Sequence, residues 1–233
     1  MILSMIKWVA IAFYTIVLGL SAILLSFLLP GSDIVPLSGK LWSYLIIKTA
    51  GARLFISGME NIDREIPCVY ISNHLSNFDV FALINILPAR TRIIAKRSLF
   101  FVPIFGWSIY LAGYISVKRD DREGAMKSFE QAAEKIRKGR PILFFAEGAR
   151  SPDGKLHPFK KGAFLIALKA GVPIIPISIS GSHRVMPLKS FRICPGDVSI
   201  VIGKPIFTER YTVSSINILM EDARSSIAQN LKS

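Results

Sequence analysis

Only two cysteines occur, Cys68 and Cys194, far apart and outside any CxxC pair. That excludes a disulfide framework and a cysteine-built metal centre, and it fits a reducing compartment. GxSxG, HExxH, the P-loop lysine motif and GxGxxG are all missing. A serine-hydrolase elbow, a zincin helix, a triphosphate cradle and a dinucleotide fold therefore have no footing. No internal repeat, low-complexity tract or long linker interrupts the chain. Acidic residues are scarce: 16 Asp and Glu stand against 29 Lys and Arg, leaving a formal charge of +13.

The imbalance is local. Residues 90–192 hold 20 basic and 7 acidic side chains, while the rest of the chain holds 9 of each. Such a field attracts phosphorylated small molecules, anionic membrane, nucleic acid or an acidic protein. Charge is absent altogether from Trp8 to Gly31, with Lys7 the only charged residue before it. A run of this length spans a hydrocarbon core of about 30 Å as a helix. A signal peptide is the competing interpretation, but the apolar stretch is long for one and no small-x-small cleavage site stands out before Asp33. Pro30-Gly31-Ser32-Asp33 breaks the run. Lys40 to Phe55 then carries Leu41, Trp42, Tyr44, Leu45, Ile46, Ile47 and Leu54 between charges, which suits an interfacial or re-entrant helix. Residues 1–58 are thus expected to form an N-terminal membrane-associated segment and residues 59–233 an α/β body. Charges flanking the first helix are few, and the basic body is expected on the cytoplasmic face of a cell's inner membrane.

In that body, apolar runs at Cys68–Ser72, Arg92–Lys96, Tyr114–Lys118, Ile142–Ala146, Ile174–Ser180 and Val198–Ile202 read as strands. Helical periodicity marks Phe78 to Leu87, Asp121 to Lys138, Lys161 to Lys169 and Ser214 to Leu231. Strands alternating with helices predict an α/β fold, a largely parallel sheet flanked by helices, whose ligands gather at strand ends.

His74 and Asp79 sit on the first strand-to-helix turn. Continuous helix would rotate residues five apart by about 140°. The two meet only if the helix begins between them, with Ser76 or Asn77 as N-cap and His74 on the loop. Asp79 then accepts a hydrogen bond from one ring nitrogen and leaves the other as a base. Ser76-x-x-Asp79 also matches a capping box, in which Asp79 serves the helix rather than the histidine. Lys118 and Arg119 leave another strand, and Glu147, Gly148 and Arg150 a third. Arginine grips phosphate with paired hydrogen bonds, and glycine allows close backbone approach. Lys160 and Lys161 open a helix, where free N–H groups favour anions. Equally, these are the cations of a solvated rim, with Glu147 paired to one of them. His157 and His183 read as surface residues in loops.

Asn73-His74-x4-Asp79, then Gly113 to Arg119, then Phe145-x-Glu147-Gly148-x-Arg150-Ser151, then Val172-Pro173-Ile174-Ile175-Pro176 form an ordered series over residues 60–185. This series resembles the glycerolipid acyltransferase family, in particular the bacterial 1-acylglycerol-3-phosphate acyltransferases. The resemblance implies a fatty acyl transfer from acyl-CoA or an acyl carrier protein, as co-substrate, to lysophosphatidic acid in a phospholipid membrane. It makes His74 the general base and Asp79 its orienting partner. Arg119, Glu147 and Arg150 fall on acceptor-binding positions, with Gly148 supporting the loop. No metal, cofactor or nucleic acid is implied. Ala146 and Ala149 stand where the family usually has Pro and Thr, a departure bearing on the acceptor. Glycerol-3-phosphate, another lysophospholipid or a lyso-aminolipid are the alternatives. A membrane-tethered anion binder, using the basic surface alone, would not need the His74–Asp79 pair.

Overall fold

The computed structural model describes residues 1–29, 33–117 and 122–231. The chain opens with helix α1 (Ile2–Leu28), long and apolar enough to cross a membrane by length and composition. Helix α2 (Ile34–Ala50) runs back along it, and Gly51, left-handed at φ 73°, ends α2. A continuous interfacial helix was expected through Phe55. Instead the chain turns at Gly51 and enters strand β1 (Ala52–Ser57), paired with the sheet. The order then runs β2 (Val69–Ser72), α3 (Phe78–Ile86), β3 (Arg92–Lys96), α4 (Phe105–Leu111), β4 (Ile115–Val117), α5 (Arg122–Arg137), β5 (Ile142–Phe145), α6 (Gly162–Ala170), β6 (Ile174–Ser180), α7 (Ser182–Val185), β7 (Gly196–Ile202) and α8 (Ile216–Gln229).

The seven strands are ordered β1-β7-β6-β2-β5-β3-β4. From β6 to β4 all neighbours are parallel, as helical crossovers require. The short α7 and the loop after it cannot carry the chain back across the sheet, so β7 returns antiparallel to β6. β1 enters from the same end and runs parallel to β7. The sheet is therefore largely parallel with two reversed strands at one edge.

Strand alternation divides the core. Tyr70, Leu143, Ile175, Ile177 and Ile179 face α1, α2 and α3, while Val69, Ile71, Ile142 and Phe144 face α5, α6 and α8. Burial on both faces explains why the central strands read as unbroken apolar runs. α1 does not stand clear of this body. Lys7, Ile11, Gly19 and Ala22 are buried against it, and its other face, including Phe13, Leu20 and Phe27, is exposed. At its start the Lys7 ammonium donates to the carbonyls of Ala50 (2.9 Å) and Ile193 (3.3 Å), and the Trp8 indole N–H to that of Phe191 (2.8 Å).

One opening follows from the topology. β2 is followed by α3 on one face and β5 by α6 on the other, so the loops leaving these adjacent strands diverge. Parallel α/β sheets bind ligands at such a switch point.

Candidate active site

His74 leaves the carboxyl end of β2 and Asp79 lies in the first turn of α3. The helix begins between them, and His74 Nδ1 lies 2.8 Å from Asp79 Oδ2. The same oxygen accepts the backbone N–H groups of Leu75 (2.7 Å) and Ser76 (2.8 Å). An oxygen already taking two N–H groups is an acceptor, so Nδ1 carries the ring proton and Nε2 presents its lone pair. The Ser76 N–H bond is also half of a capping box. The cap and the histidine partner are one carboxylate. Ser76 Oγ accepts from Phe78 N–H (3.1 Å) and donates to the Met186 carbonyl (2.7 Å), tying the turn to α7. Asp79 is fully buried and the His74 side chain is 12% exposed.

Three further residues fix the loop. The buried Asn73 amide bridges to β6, donating to the Ile179 carbonyl (2.9 Å) and accepting the Ile179 N–H (2.8 Å). It continues the β2–β6 ladder by one side chain where the backbone departs. Phe145, last in β5, stacks on the imidazole with ring centroids 3.9 Å apart and planes 20° apart. Glu147 spends both carboxylate oxygens on backbone: Oε1 accepts His74 N–H at 2.9 Å and Oε2 accepts His157 N–H at 3.0 Å. Burial pushes the Glu147 carboxyl above its ordinary value, opposed by those two N–H groups. The Ser151 N–H donates to the His74 carbonyl (2.8 Å), so the two loops are joined twice.

Around this centre the cations are arranged unequally. Arg150 is half-buried and makes no hydrogen bond or ion pair with any described residue. Gly148 is left-handed at φ 74°, and a Cβ there would stand 3.4 Å from the Lys160 stem, so the glycine answers to backbone shape first. Lys160 and Lys161 are exposed at the start of α6, with the Lys160 N–H on the Ala146 carbonyl at 2.7 Å. Lys118 and Arg119 lie outside the described residues. His157 is held by Asp153 (2.8 Å), which with Ser151 and the Lys155 N–H closes a local turn; His183 lies in α7.

The structure thus joins His74, Asp79 and Glu147 into one hydrogen-bonded unit. Sequence reasoning quoted Phe145 and Asn73 within motifs but gave neither a task. Alternation along Ile142–Phe145 was the available signal, because it turns Phe145 to the face opposite Phe144.

Comparison with known proteins shows the family of the chain. The family model described as Acyltransferase matches residues 53–180. A chloroplastic 1-acyl-sn-glycerol-3-phosphate acyltransferase of Brassica napus is 38% identical over 194 residues, covering 82% of this chain and 54% of that protein. The chain spans about half the length of this and other curated relatives it matches. A 1-acyl-sn-glycerol-3-phosphate acyltransferase of Pseudomonas aeruginosa is 31% identical over 183 residues, covering 78% of this chain and 70% of that one. Among solved structures, the 1-acyl-sn-glycerophosphate acyltransferase PlsC of Thermotoga maritima superposes with a TM-score of 0.82 over 100% of this chain and 97% of its own, at 24% identity. That likeness is one of fold.

Proposed function

The chain belongs to the acyltransferase family, and from that membership and the geometry at His74 we propose that it moves a fatty acyl group from a thioester to the free hydroxyl of 1-acylglycerol-3-phosphate, giving phosphatidic acid. The observation carrying this reading is the His74–Asp79 pair: Asp79 Oδ2 holds Nδ1–H, and Nε2 has no partner among the described residues.

The chemistry asks for little else. A thioester is already activated, so no acyl-enzyme is needed. Nε2 takes the acceptor hydroxyl proton as that oxygen attacks the thioester carbonyl. The C–O bond forms, the C–S bond breaks, and the departing thiolate collects the proton from the imidazolium. Asp79 stabilises that imidazolium while it exists, and Phe145 keeps the ring from turning. Arg150, unpaired and beside the His74 loop, would grip the acceptor phosphate and hold the hydroxyl near Nε2. No resident metal or cofactor enters this scheme. Acyl-CoA and acyl carrier protein are both acidic donors suited to the basic middle of the chain. The exposed apolar face of α1 supports work at a membrane, and the basic charge of the body favours its cytoplasmic side.

The test is acyl transfer by the full chain, offering 1-acylglycerol-3-phosphate with labelled acyl-CoA or acyl carrier protein. The wild type should form phosphatidic acid, and His74→Ala should lose about 10²–10⁴-fold of the rate while still folding, as its circular dichroism would show. Near-wild-type turnover in His74→Ala would remove the base assignment. Arg150→Ala should raise KM for this acceptor more than for a lyso-aminolipid without the phosphate; absence of product with either donor would shift the acceptor.

A further inference from the structure

A second group of cations lies at the opposite end of the sheet, where the parallel strands begin. Arg92 opens β3, Arg140 precedes β5, Lys135 stands in the last turn of α5 and Asp33 precedes α2. Arg140 Nη1 takes Asp33 Oδ1 at 3.0 Å, and Arg92 Nη2 reaches the same oxygen only at 3.7 Å. The Lys135 ammonium has neither a hydrogen bond nor an ion pair among the described residues. One half-exposed carboxylate is thus set against three cations.

Two of the cations, Arg92 and Lys135, meet at one point. A Cβ built on Gly113, at φ 75°, would lie 3.0 Å from Arg92 Nε and 3.5 Å from Lys135 Nζ. Both nitrogens therefore border the space over the Gly113 α-carbon, at most 6.5 Å apart by the sum of those distances. Glycine keeps this space open. Burial and the neighbouring Arg140 push the Arg92 guanidinium down, and burial, Arg92, Lys138 and Arg140 push the Lys135 ammonium down. The C-terminal dipole of α5 favours one cation here, but it does not account for three set against the single Asp33 carboxylate.

Apolar side chains frame the cluster. Ala22 of α1, Val35 of α2 and Ala112 after α4 form a small core at this end, with Tyr114 packed on it. Around it Leu24, Phe27 and Leu28 of α1, Leu37 of α2 and Tyr110 of α4 are exposed. Cations bordered by exposed apolar side chains match the phosphate layer of a bilayer above its acyl chains. We propose that Arg92, Lys135 and Arg140 bind the phosphate of an anionic phospholipid headgroup over Gly113, separated from His74 by the height of the sheet. This site pins the end of the α1–α2 pair to anionic lipid and needs no acyl-transfer chemistry.

The experiment measures thermal unfolding of the full chain in detergent micelles doped with phosphatidylglycerol, with phosphatidylcholine, or with inorganic phosphate in the buffer. The proteins are wild type, Lys135→Gln/Arg140→Gln, and Lys169→Gln/Lys204→Gln, which removes equal charge elsewhere. Phosphatidylglycerol should raise the Tm of the wild type and the second double variant, and its apparent affinity should fall about tenfold or more in Lys135→Gln/Arg140→Gln. An unchanged response there, or an equal loss in both double variants, overturns the site in favour of diffuse charge. A full response to inorganic phosphate with nothing added by phosphatidylglycerol overturns the lipid assignment. Should the double variant unfold early in phosphatidylcholine, the partly exposed Lys135→Gln alone carries the same comparison.

Discussion

Glu147→Gln separates two tasks for one carboxylate. The family pattern assigns Glu147 to the acceptor, whereas its oxygens are occupied by the His74 and His157 N–H groups at 2.9 and 3.0 Å. Glutamine keeps the shape but offers one acceptor oxygen, so its NH₂ must face one of those N–H groups. One charge-assisted bond becomes neutral and the other is lost. Such bonds contribute about 1.5–3 kcal/mol each, and a buried orphan donor costs about 1–3 kcal/mol. The relief of no longer burying a charge, the burial that raises the Glu147 carboxyl, offsets part of this. A net loss of about 1–3 kcal/mol follows, which for a chain of this size lowers Tm by about 3–10 °C. His74 is then released at its own backbone. A misplacement near 1 Å costs about 10²-fold in turnover. With the donor saturating and 1-acylglycerol-3-phosphate varied, kcat should fall about 10²-fold while KM stays within about threefold. A tenfold or larger rise in KM with kcat and Tm unchanged would refute the positioning role and return Glu147 to the acceptor.

Other consequences are quicker to state. The same carboxyl sets a pH dependence: its folded value is raised, so the folded state holds its proton longer than the unfolded chain does. Its contribution to stability is greatest below the ordinary glutamate range and is lost as pH rises through the folded value. The Tm advantage of wild type over Glu147→Gln should therefore be larger near pH ~4.5 than near pH ~7. Asn73→Ala strands the Ile179 N–H and carbonyl inside the sheet, and denaturant unfolding should register a loss of about 2–4 kcal/mol. Phe145→Leu removes the stacked ring, lowering kcat about 2–10-fold, whereas Phe145→Tyr should retain most of it.

How much of this was legible depends on where each signal lay. The pair His74 and Asp79 could be read because its spacing is useless unless a helix starts inside it. The central strands could be read because burial on both faces leaves no polar position to confuse the pattern. β1 could not: Arg53, Leu54, Phe55 and Ile56 continue the amphipathic run of α2, and only Gly51, a left-handed C-cap, separates the two. The reversed direction of β7 was equally hidden, since strand sense is set by the connection and not by the strand's own residues. The hydrogen-bond partners of Glu147 were hidden for a different reason. Its partners are backbone amides, which leave no mark in a sequence, whereas a nearby arginine suggests a side-chain pair. Tertiary context made the choice.

The buried foot of α1 bears on how the body would keep its orientation at a membrane. Lys7 holds the Ile193 carbonyl, Cys194 donates its N–H to the Val185 carbonyl, and the neighbouring Met186 carbonyl holds Ser76 beside His74. Three short links thus run from α1 to Ser76, beside the His74 ring. An unrelated membrane segment grafted in its place would deliver the body to the same surface yet leave that ring without its far support. Address and alignment are written into one helix, and they cannot be exchanged separately.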